Sequence, residues 1–504
     1  MQLLLGIDLG AGSLKVSLIT LDGQCKGEGA HAVPTHAPLA GWSEQDPQDW
    51  WIALQKSVAQ AVSKADVSAD QIVAISFSAG AHSAVLADAA GNPLRRAIMW
   101  NDQRTGDQCQ KLIQRADKLI RRKSKNKVTP TWTLPHLMWL NEYEPDLVRK
   151  VERVYLAKDW LRSKLTGDWC TDITDAYGTL MVDDVTKSWS GEICQLIDWR
   201  LETLPTIVKS TDIVGTVVGR AAAETGLREG TPVICGMSDT AAEDIGAGML
   251  DYGIGVVKLA TAATMSCMRN EPNPTQSLVS YPYYPEHMWF QIAGTNSCAS
   301  AHAWLRKTAF AGSDGGGKSY DEMEALARNI PAGSDGLFFH PYLNGERAPY
   351  FDPKLRASYV GMSFQHGPGH LIRALYEGVA CSLRDCRRQF VASGIRFDML
   401  RATGGGARSP LWRQILANVL DTRVELTENA DASFGIALVA GLGAGLIQNS
   451  NELARKVRVV AVHEPEAASV RFYDGYFDDY LRIQQALQSI NHDIVERYQS
   501  PSAN

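Results

Sequence analysis

Short apolar runs separated by polar turns open the chain. Residues 3–8 predict a buried strand, and residues 14–20, in which apolar and polar positions alternate, predict a second one. Asp22 and Gly23 are typical of a hairpin turn, so a third strand is expected to end near Val33. The apolar spacing then becomes helical over residues 49–65. The pattern predicts a β-meander followed by a helix.

Strands and helices continue to alternate through the first half of the chain. Residues 72–78 predict a further buried strand. Residues 232–236 predict another, which leads into Met237, Ser238 and Asp239, and a helix is expected to begin at Thr240. This order of elements is typical of an α/β fold.

A second strand pair, residues 255–268 with an internal turn, resembles the N-terminal hairpin. Residues 261–264 fall where Ala11, Gly12 and Ser13 fall in the first pair. Two related halves, each opened by a phosphate-facing hairpin, would place a nucleotide in the cleft between them. The chain, 504 residues long, also exceeds the size of one core. We therefore expect domains at residues 1–248 and 249–504, the second with a long helical tail after about residue 445.

Composition narrows the class of protein. The net charge of −6 argues against nucleic acid or an acidic membrane surface as the main partner. The basic run at residues 121–127 is expected to be a solvated loop between helices. Nine cysteines without a Cys-x-x-Cys pair favour reduced thiols in the cytoplasm. The N-terminus has no signal-peptide pattern, and the weakly polar residues 434–447 are too few to span a bilayer. A homodimer is a guess from frequency alone.

Two glycine-rich patterns are interpreted as coincidental. Residues 312–319 match the P-loop pattern letter for letter, but the preceding residues 301–310 have helical rather than strand character. A glycine-rich connection between helices explains them better. Gly10 and Gly12 resemble the start of a dinucleotide fingerprint, but Lys15 occupies the third glycine position, and the chain continues as a strand. What remains is a turn that brings backbone amides close to an anion.

Asp8 and Asp239 are the candidate chemical groups. Asp8 follows a buried strand beside glycines, where it could hold Mg²⁺ through water or only stabilise the turn. Asp239 lies between a strand and a helix, where it could act as a base or only cap the helix. From the residues alone, both interpretations stay open at each position.

Landmarks spread along nearly the whole chain resemble the FGGY family of sugar kinases, within the actin-like ATPase superfamily. The matching segments, in chain order, are Gly6-Ile-Asp-Leu-Gly10, Trp42-Ser-Glu-Gln-Asp-Pro47, Trp100-Asn-Asp-Gln-Arg104, Lys158-Asp159, Thr166-Gly167, Ser238-Asp-Thr240, Gly345-Glu-Arg347 and Gly404-Gly-Gly-Ala407. Residues 357–377 fit the family's C-terminal signature except at Leu375. The resemblance implies two actin-like (ribonuclease H-like) ATPase domains with a central cleft.

The resemblance also implies roles for residues. Asp239 would be the general base toward the sugar hydroxyl, and Asp8 the metal-site carboxylate for Mg²⁺. The expected nucleotide-binding residues for ATP are Gly10, Ala11, Gly12, Ser13, Lys15, Ala260, Thr261, Gly404, Gly405, Gly406 and Ala407. The expected sugar-binding residues are Ala81, His82, Trp100, Asp239 and Thr240. A neutral, buried histidine with a structural hydrogen bond is the alternative interpretation of His82.

Within the family, residues 42–47 and 345–349 are most similar to the members that phosphorylate D-xylulose on O5. Departures from the pattern concern the turns and the pocket. Ala11 replaces a threonine, Ala260 and Ala262 flank Thr261 in place of glycine or serine, Ala81 replaces a methionine, and Thr240 replaces an asparagine. Another ketopentose or a polyol is the alternative substrate. The alternative outside this class is a sugar or nucleotide sensor with weakened catalysis; an actin-like chaperone ATPase fits less well.

Overall fold

The N-terminal apolar run forms the centre of a sheet because both of its faces are covered. All seven residues of Leu3–Leu9 are buried, as expected for a strand between two layers. The computed structural model describes residues 1–273, 278–311 and 317–498.

The first half of the chain contains fourteen strands and nine helices. The strands are β1 Leu3–Leu9, β2 Ser13–Thr20, β3 Cys25–Ala32, β4 Glu44–Gln45, β5 Ile72–Ala79, β6 Ala84–Ala87, β7 Ala97–Ile98, β8 Arg153–Leu156, β9 Cys170–Asp172, β10 Val182–Asp183, β11 Ser188–Trp189, β12 Thr206–Val208, β13 Ile213–Thr216 and β14 Pro232–Ser238. The helices are α1 Pro47–Ala65, α2 Gly106–Ser124, α3 Thr133–Tyr143, α4 Pro145–Val148, α5 Ala157–Thr166, α6 Ile173–Tyr177, α7 Gly191–Leu196, α8 Gly219–Thr225 and α9 Asp239–Gly246.

The described part of the second half continues in the same manner. Its strands are β15 Ile254–Leu259, β16 Ala263–Arg269, β17 Val279–Tyr283, β18 Met288–Gly294, β19 Phe338–His340, β20 Ser358–Val360, β21 Met399–Thr403, β22 Arg423–Thr427 and β23 Val459–His463. Its helices are α10 Ala299–Ala309, α11 Tyr320–Arg328, α12 Pro368–Ala392, α13 Pro410–Leu420, α14 Ala432–Gly443, α15 Ser450–Ala454 and α16 Ala467–Tyr498.

Each half is built on one large sheet, and the two sheets share the order of six strands. The first runs β3-β2-β1-β5-β14-β13, and the corresponding strands of the second are β18-β16-β15-β21-β22-β23. The second sheet has one additional strand, β17, which lies at its edge beside β18. In both, the opening hairpin is antiparallel, and its first strand pairs in parallel with a later strand. The predicted echo between the halves is therefore a repeat of topology. The predicted fold class, two actin-like domains of α/β type, is confirmed.

Helix α14 joins the two halves at a layer of close backbone contacts. A Cβ at Gly6 of β1 would lie 1.9 Å from the carbonyl oxygen of Ser433, and a Cβ at Gly435 would lie 1.8 Å from that of Ala242 in α9. Only glycine permits such proximity. Apolar residues of both halves share the resulting core. Residues 434–447, most of them apolar, thus pack against the first sheet. In the described residues, no helix is long and apolar enough to cross a membrane.

Two local predictions need correction. Residues 121–124 form the last turn of α2 rather than a loop, because Arg121 pairs with Asp117 and Lys123 with Asp183. The tail after residue 445 is not wholly helical, since Val459–His463 forms an edge strand paired with β22. All nine cysteines lie in the described part of the chain and are free thiols, as predicted.

Candidate active site

Asp8 lies near the end of β1 and within electrostatic range of Lys258 and Asp431 from the second half of the chain. This region, where the two halves face each other, is called the cleft below. Its Oδ1 accepts a hydrogen bond of 2.9 Å from the hydroxyl of Ser78 on β5. The turn after Asp8 is closed instead by the backbone, because Gly10 N–H donates to the carbonyl of Ser13. Burial, and then the negative charge of Asp239, raise the pKa of Asp8 to about 8. The Asp8 carboxyl group thus bonds to the neighbouring strand, whereas the turn is closed by a backbone hydrogen bond.

Asp239 is the first residue of α9 and follows β14 directly. Ser238 is the N-cap residue but makes no side-chain cap, and Asp239 occupies the first helical position. Its Oδ1 accepts hydrogen bonds from the backbone N–H of Thr240 at 2.6 Å and from its hydroxyl at 3.2 Å. Burial raises the pKa of the Asp239 carboxyl, and the positive charge of Lys258 opposes that shift. A carboxylate with a raised pKa is a better base near neutral pH.

Gly80 explains how Asp239 approaches the turn after β5. A Cβ at Gly80 would lie 3.4 Å from Cδ1 of Trp100 and 3.7 Å from Oδ2 of Asp239. The predicted residues Trp100 and Asp239 therefore meet beside the turn that carries Ala81 and His82. The fold brings these four side chains together from three separate segments of the first half.

His82 is neutral, and its tautomer follows from its contacts. The residue has φ of 78°, and its Nδ1–H donates to the carbonyl of Gly178 at 2.6 Å. Burial lowers the pKa of the imidazole to about 4. Nε2 is then an acceptor, and it lies 3.3 Å from the hydroxyl of Tyr281. His82 thus has the structural hydrogen bond of the alternative interpretation and also an acceptor nitrogen that faces a residue of the other half.

Two aromatic residues near His82 were missed by the sequence prediction. The ring of Trp132 lies edge-on to His82 at 4.7 Å, and Tyr281 lies 5.8 Å from Trp132, both between ring centroids. Trp132 is the residue before α3, whereas Tyr281 belongs to β17 of the second half. Neither residue belongs to a motif, so no local signal identifies them.

The two predicted phosphate turns lie at the ends of the two opening hairpins. Ala11 and Gly12 are exposed, and so is Thr261 in the second turn. The carbonyl oxygens of Ala260 and Thr261 accept hydrogen bonds from Ala299 N–H and Cys298 N–H, at 2.8 and 3.0 Å. These bonds hold the second turn against the start of α10. The side chains at 11, 260 and 262 are methyl groups, so the alanines supply no hydroxyl.

Residues 404–407 lie beside the second turn, at the end of β21. Gly404 has φ of +83°, and a Cβ there would be 2.7 Å from the carbonyl oxygen of Leu259. A Cβ at Gly406 would be 2.9 Å from Leu259 Cβ. Gly405 is open to the cleft, and Ala407 is buried. Glycine at 404 and 406 is therefore required by the approach of β15.

Two lysine–carboxylate pairs cross the cleft in opposite directions. Lys15 of β2 lies 3.9 Å from Asp431, the N-cap residue of α14. Lys258 of β15 forms an ion pair with Glu243 of α9. The prediction included Lys15 but missed Lys258 and Glu243. The available signals were weak: Glu243 follows Asp239 by one helical turn, and Lys258 precedes the second phosphate turn by two residues.

The residues that flank the P-loop-like pattern belong to two helices. Residues 312–316 lie outside the described residues. The predicted helix before it exists as α10, and Ser319 is the N-cap of α11, with Glu322 completing a capping box. Lys318 N–H donates to the carbonyl of Phe310. The described residues on both sides of the segment therefore belong to a connection between helices.

A divalent cation fits the acidic side chains of this cleft. Within the described residues, no group of three or more His, Cys, Asp or Glu side chains could hold a metal by itself. Asp8 nevertheless has a pKa raised partly by the negative charge of Asp239, a repulsion that a cation would relieve. Mg²⁺ is typically held by one or two carboxylates together with substrate phosphates. The donor set therefore suits a cation that arrives with a nucleotide.

Comparison with known proteins agrees with this architecture. The N-terminal domain model of the FGGY family of carbohydrate kinases matches residues 3–246, and the C-terminal domain model matches residues 255–444. The chain belongs to this family, whose members transfer a phosphoryl group to an alcohol group. The predicted family and enzyme class are confirmed.

Relatives resemble the chain over nearly its full length. The xylulose kinase of Bacillus subtilis is 33% identical over 495 residues, which cover 97% of this chain and 98% of that protein. The xylulose kinase of Escherichia coli is 30% identical, with 96% and 99% covered. Among solved structures, a "xyloylose kinase" from Brucella ovis has a TM-score of 0.88 and 29% identity, with 97% and 100% covered.

Proposed function

We propose that the protein transfers the γ-phosphoryl group of ATP to O5 of D-xylulose, forming D-xylulose 5-phosphate. The observation that carries the proposal is that Asp8, Asp239, Trp100 and His82 lie near one another. They do so in a chain that belongs to a family of carbohydrate kinases. The names of the relatives in Bacillus subtilis and Escherichia coli support xylulose as the sugar. We further assign residues 1–248 to the sugar side and residues 249–504 to the nucleotide side.

In this proposal the chain's own residues orient the sugar and remove one proton. His82 Nε2 accepts a hydrogen bond from a sugar hydroxyl in place of the one from the Tyr281 hydroxyl, because Nδ1–H is committed to Gly178. Trp100 presents its ring beside Asp239 and gives the apolar face of the sugar a surface to pack on. Asp239 orients the attacking hydroxyl and accepts its proton late in the transfer, when that proton has become acidic. The hydrogen bonds from Thr240 keep the carboxylate in place.

The nucleotide side is assigned to the two turns and to residues 404–407. Exposed backbone at residues 10–13 and 260–261 approaches the phosphates, and Gly404–Gly406 lets the backbone lie close to adenosine. Asp8 would hold Mg²⁺ through water, and the bound ion would neutralise charge on the β- and γ-phosphates. Lys15, exposed beside the first turn, adds a positive charge. The nine free thiols fit a reducing compartment, and we assign the protein to the cytoplasm.

An ADP-release assay tests the proposal. Purified protein with ATP and Mg²⁺ is given pentuloses, hexuloses and polyols in parallel, with Asp239→Asn as the variant. We expect D-xylulose to have the highest kcat/KM and Asp239→Asn to lower kcat by a factor of about 10² to 10⁴. A higher kcat/KM for another ketopentose or a polyol would replace D-xylulose as the assigned substrate. If the protein binds ATP and a pentulose tightly but phosphorylates no sugar, the proposed function would be that of a sensor instead of a kinase.

A further inference from the structure

The ion pair between Lys258 and Glu243 joins the two halves of the chain but has no part in the mechanism above. Lys258 lies on β15, two residues before the turn at residues 260–262. Its neighbour in the adjacent parallel strand is Thr403, and Gly404 follows that threonine. The lysine therefore stands between the two segments assigned to the nucleotide.

The partner of Lys258 comes from the other half of the chain. Glu243 follows Asp239 by four residues on α9, which places both carboxylates on one face of the helix. Its Oε1 accepts a hydrogen bond of 3.0 Å from the hydroxyl of Thr403, and Lys258 donates to Oε2. The positive charge of Lys258 also acts on Asp239 and Asp8. The ammonium thus sits within the electrostatic range of both candidate catalytic aspartates.

The two members of the pair differ in access to the cleft. The Lys258 side chain is 39% exposed, whereas that of Glu243 is 11% exposed. Glu243 is fixed by Thr403, but the lysine has a long, flexible stem. The lysine is therefore the member that is free to exchange its partner when an anion enters the cleft.

Acidic groups gather where the two halves face each other, and they include Asp8, Asp239, Glu243, Asp244 and Asp431. In the two turns, Ser13 and Thr261 carry hydroxyls, whereas alanine at 11, 260 and 262 supplies none to phosphate oxygens. Lys15 and Lys258 are the cations that pair with members of this group. They come from opposite halves and would approach a triphosphate from opposite sides.

We propose that Lys258 is a further catalytic residue, which leaves Glu243 and binds the oxygens of the phosphoryl group during its transfer. The inference rests on the proposed function. The sugar oxygen bonds to the γ-phosphorus, the bond from that phosphorus to the β–γ bridging oxygen breaks, and the electron pair leaves with ADP. The hydroxyl proton goes to Asp239. Lys258 keeps its protons throughout and stabilises the charge on the equatorial oxygens.

The test compares Lys258→Met and Lys258→Arg with the wild type in the ADP-release assay. We expect Lys258→Met to lower kcat by about 100-fold, the scale for losing one charged donor to a transition state. Lys258→Arg should recover at least a tenth of the wild-type rate. Lys123→Met, which removes another interior ion pair on α2, is the matched control and should keep the wild-type kcat.

Nucleotide binding separates a catalytic lysine from a structural bridge between the halves. Lys258→Met should bind ADP as the wild type does but bind a non-hydrolysable ATP analogue about tenfold more weakly, as measured by calorimetry. Equal losses for both nucleotides, or a wild-type kcat in Lys258→Met, would overturn the proposal. Wild-type protein that phosphorylates no sugar would instead overturn the proposed function.

Glu243→Gln provides a second route if Lys258→Met does not fold. Without the competing carboxylate, Lys258 should bind the ATP analogue more tightly than in the wild type. A loss of analogue affinity in Glu243→Gln would indicate a structural bridge and would contradict the catalytic role.

Discussion

Nε2 of His82 lies 3.3 Å from the hydroxyl oxygen of Tyr281, although the two residues come from opposite halves of the chain. His82 follows β5 in the first sheet, and Tyr281 belongs to β17 at the edge of the second. An aromatic residue of the second half therefore contacts a predicted sugar-binding residue of the first.

Tyr281→Phe tests this contact across the cleft. The substitution removes the hydroxyl that donates to His82 but keeps the ring beside Trp132. We expect KM for the sugar to decrease by a factor of about three to ten, the effect of one neutral hydrogen bond that the sugar no longer has to displace, with kcat nearly unchanged. Steady-state kinetics at saturating ATP measures it. An equal change in KM for ATP would show that the tyrosine affects the cleft as a whole rather than the sugar site.

The rate should depend on pH through Asp239. The residue acts as a base only when ionised, and burial raises its pKa. Activity is therefore present above that raised pKa and is lost as pH falls through it. We expect kcat/KM for the sugar to decrease on the acid side with a slope of one, at a pH above the ordinary range of an aspartate. Asp239→Asn should lack this acid limb; if it keeps the limb, another group is the base.

The Asp8 carboxyl group should lower the free energy of unfolding at neutral pH, relative to a neutral side chain, when no metal is bound. Its pKa is about 8 in the folded protein, against 3.8 for an unperturbed aspartate, so the folded protein binds the proton more tightly than the unfolded chain. The stabilisation from this proton is fully present below pH 3.8 and is lost as pH rises toward 8. In EDTA at pH 8, Asp8→Asn should therefore melt higher than the wild type, by about 2–4 °C for each kcal/mol relieved.

The difference in melting temperature between Asp8→Asn and the wild type should disappear at low pH. Thermal unfolding at pH 4 and pH 8 measures the difference. A higher melting temperature of the variant at pH 4 but not at pH 8 would contradict the raised pKa of Asp8.

Gly236 should be indispensable for placing Asp239. It lies in β14 with φ of +87°, where a Cβ would come within 1.9 Å of the carbonyl oxygen of Phe77. Gly236→Ala should lower the free energy of unfolding by more than about 3 kcal/mol, since both the backbone angle and β5 oppose it. Gly191→Ala is the control, because a Cβ there meets nothing within 4 Å. Urea titration of both variants distinguishes them; equal midpoints would refute the argument.

Lys318→Ala should leave the kinase rate almost unchanged. In a P-loop this lysine would bind the phosphates, but here it precedes the N-cap of α11 in a connection between helices. The ADP-release assay with saturating sugar measures the rate. A collapse of activity would overturn the assignment of phosphates to the turns of the two hairpins.

Local pattern sufficed for much of the architecture. The alternation at residues 14–20 and the apolar runs at 3–8 and 72–78 predicted β2, β1 and β5 within one residue at each end. It failed at residues 121–124, the last turn of α2, where Arg121 pairs with Asp117 and Lys123 with Asp183, a partner sixty residues away. The domain boundary near residue 248 and the residue roles stay predictions.

Periodicity, turn chemistry and ordered motifs lie within short segments, and they were enough to predict the strands of the two hairpins, the family and the positions of Asp8 and Asp239 at strand ends. The contacts of Tyr281 with His82 and of Lys258 with Glu243 arise only in the folded chain. Both contacts require the two sheets to pack around α14, and the glycines at 6 and 435 set that distance. Such proximity depends on the sum of many long-range contacts, which no single segment of the chain records.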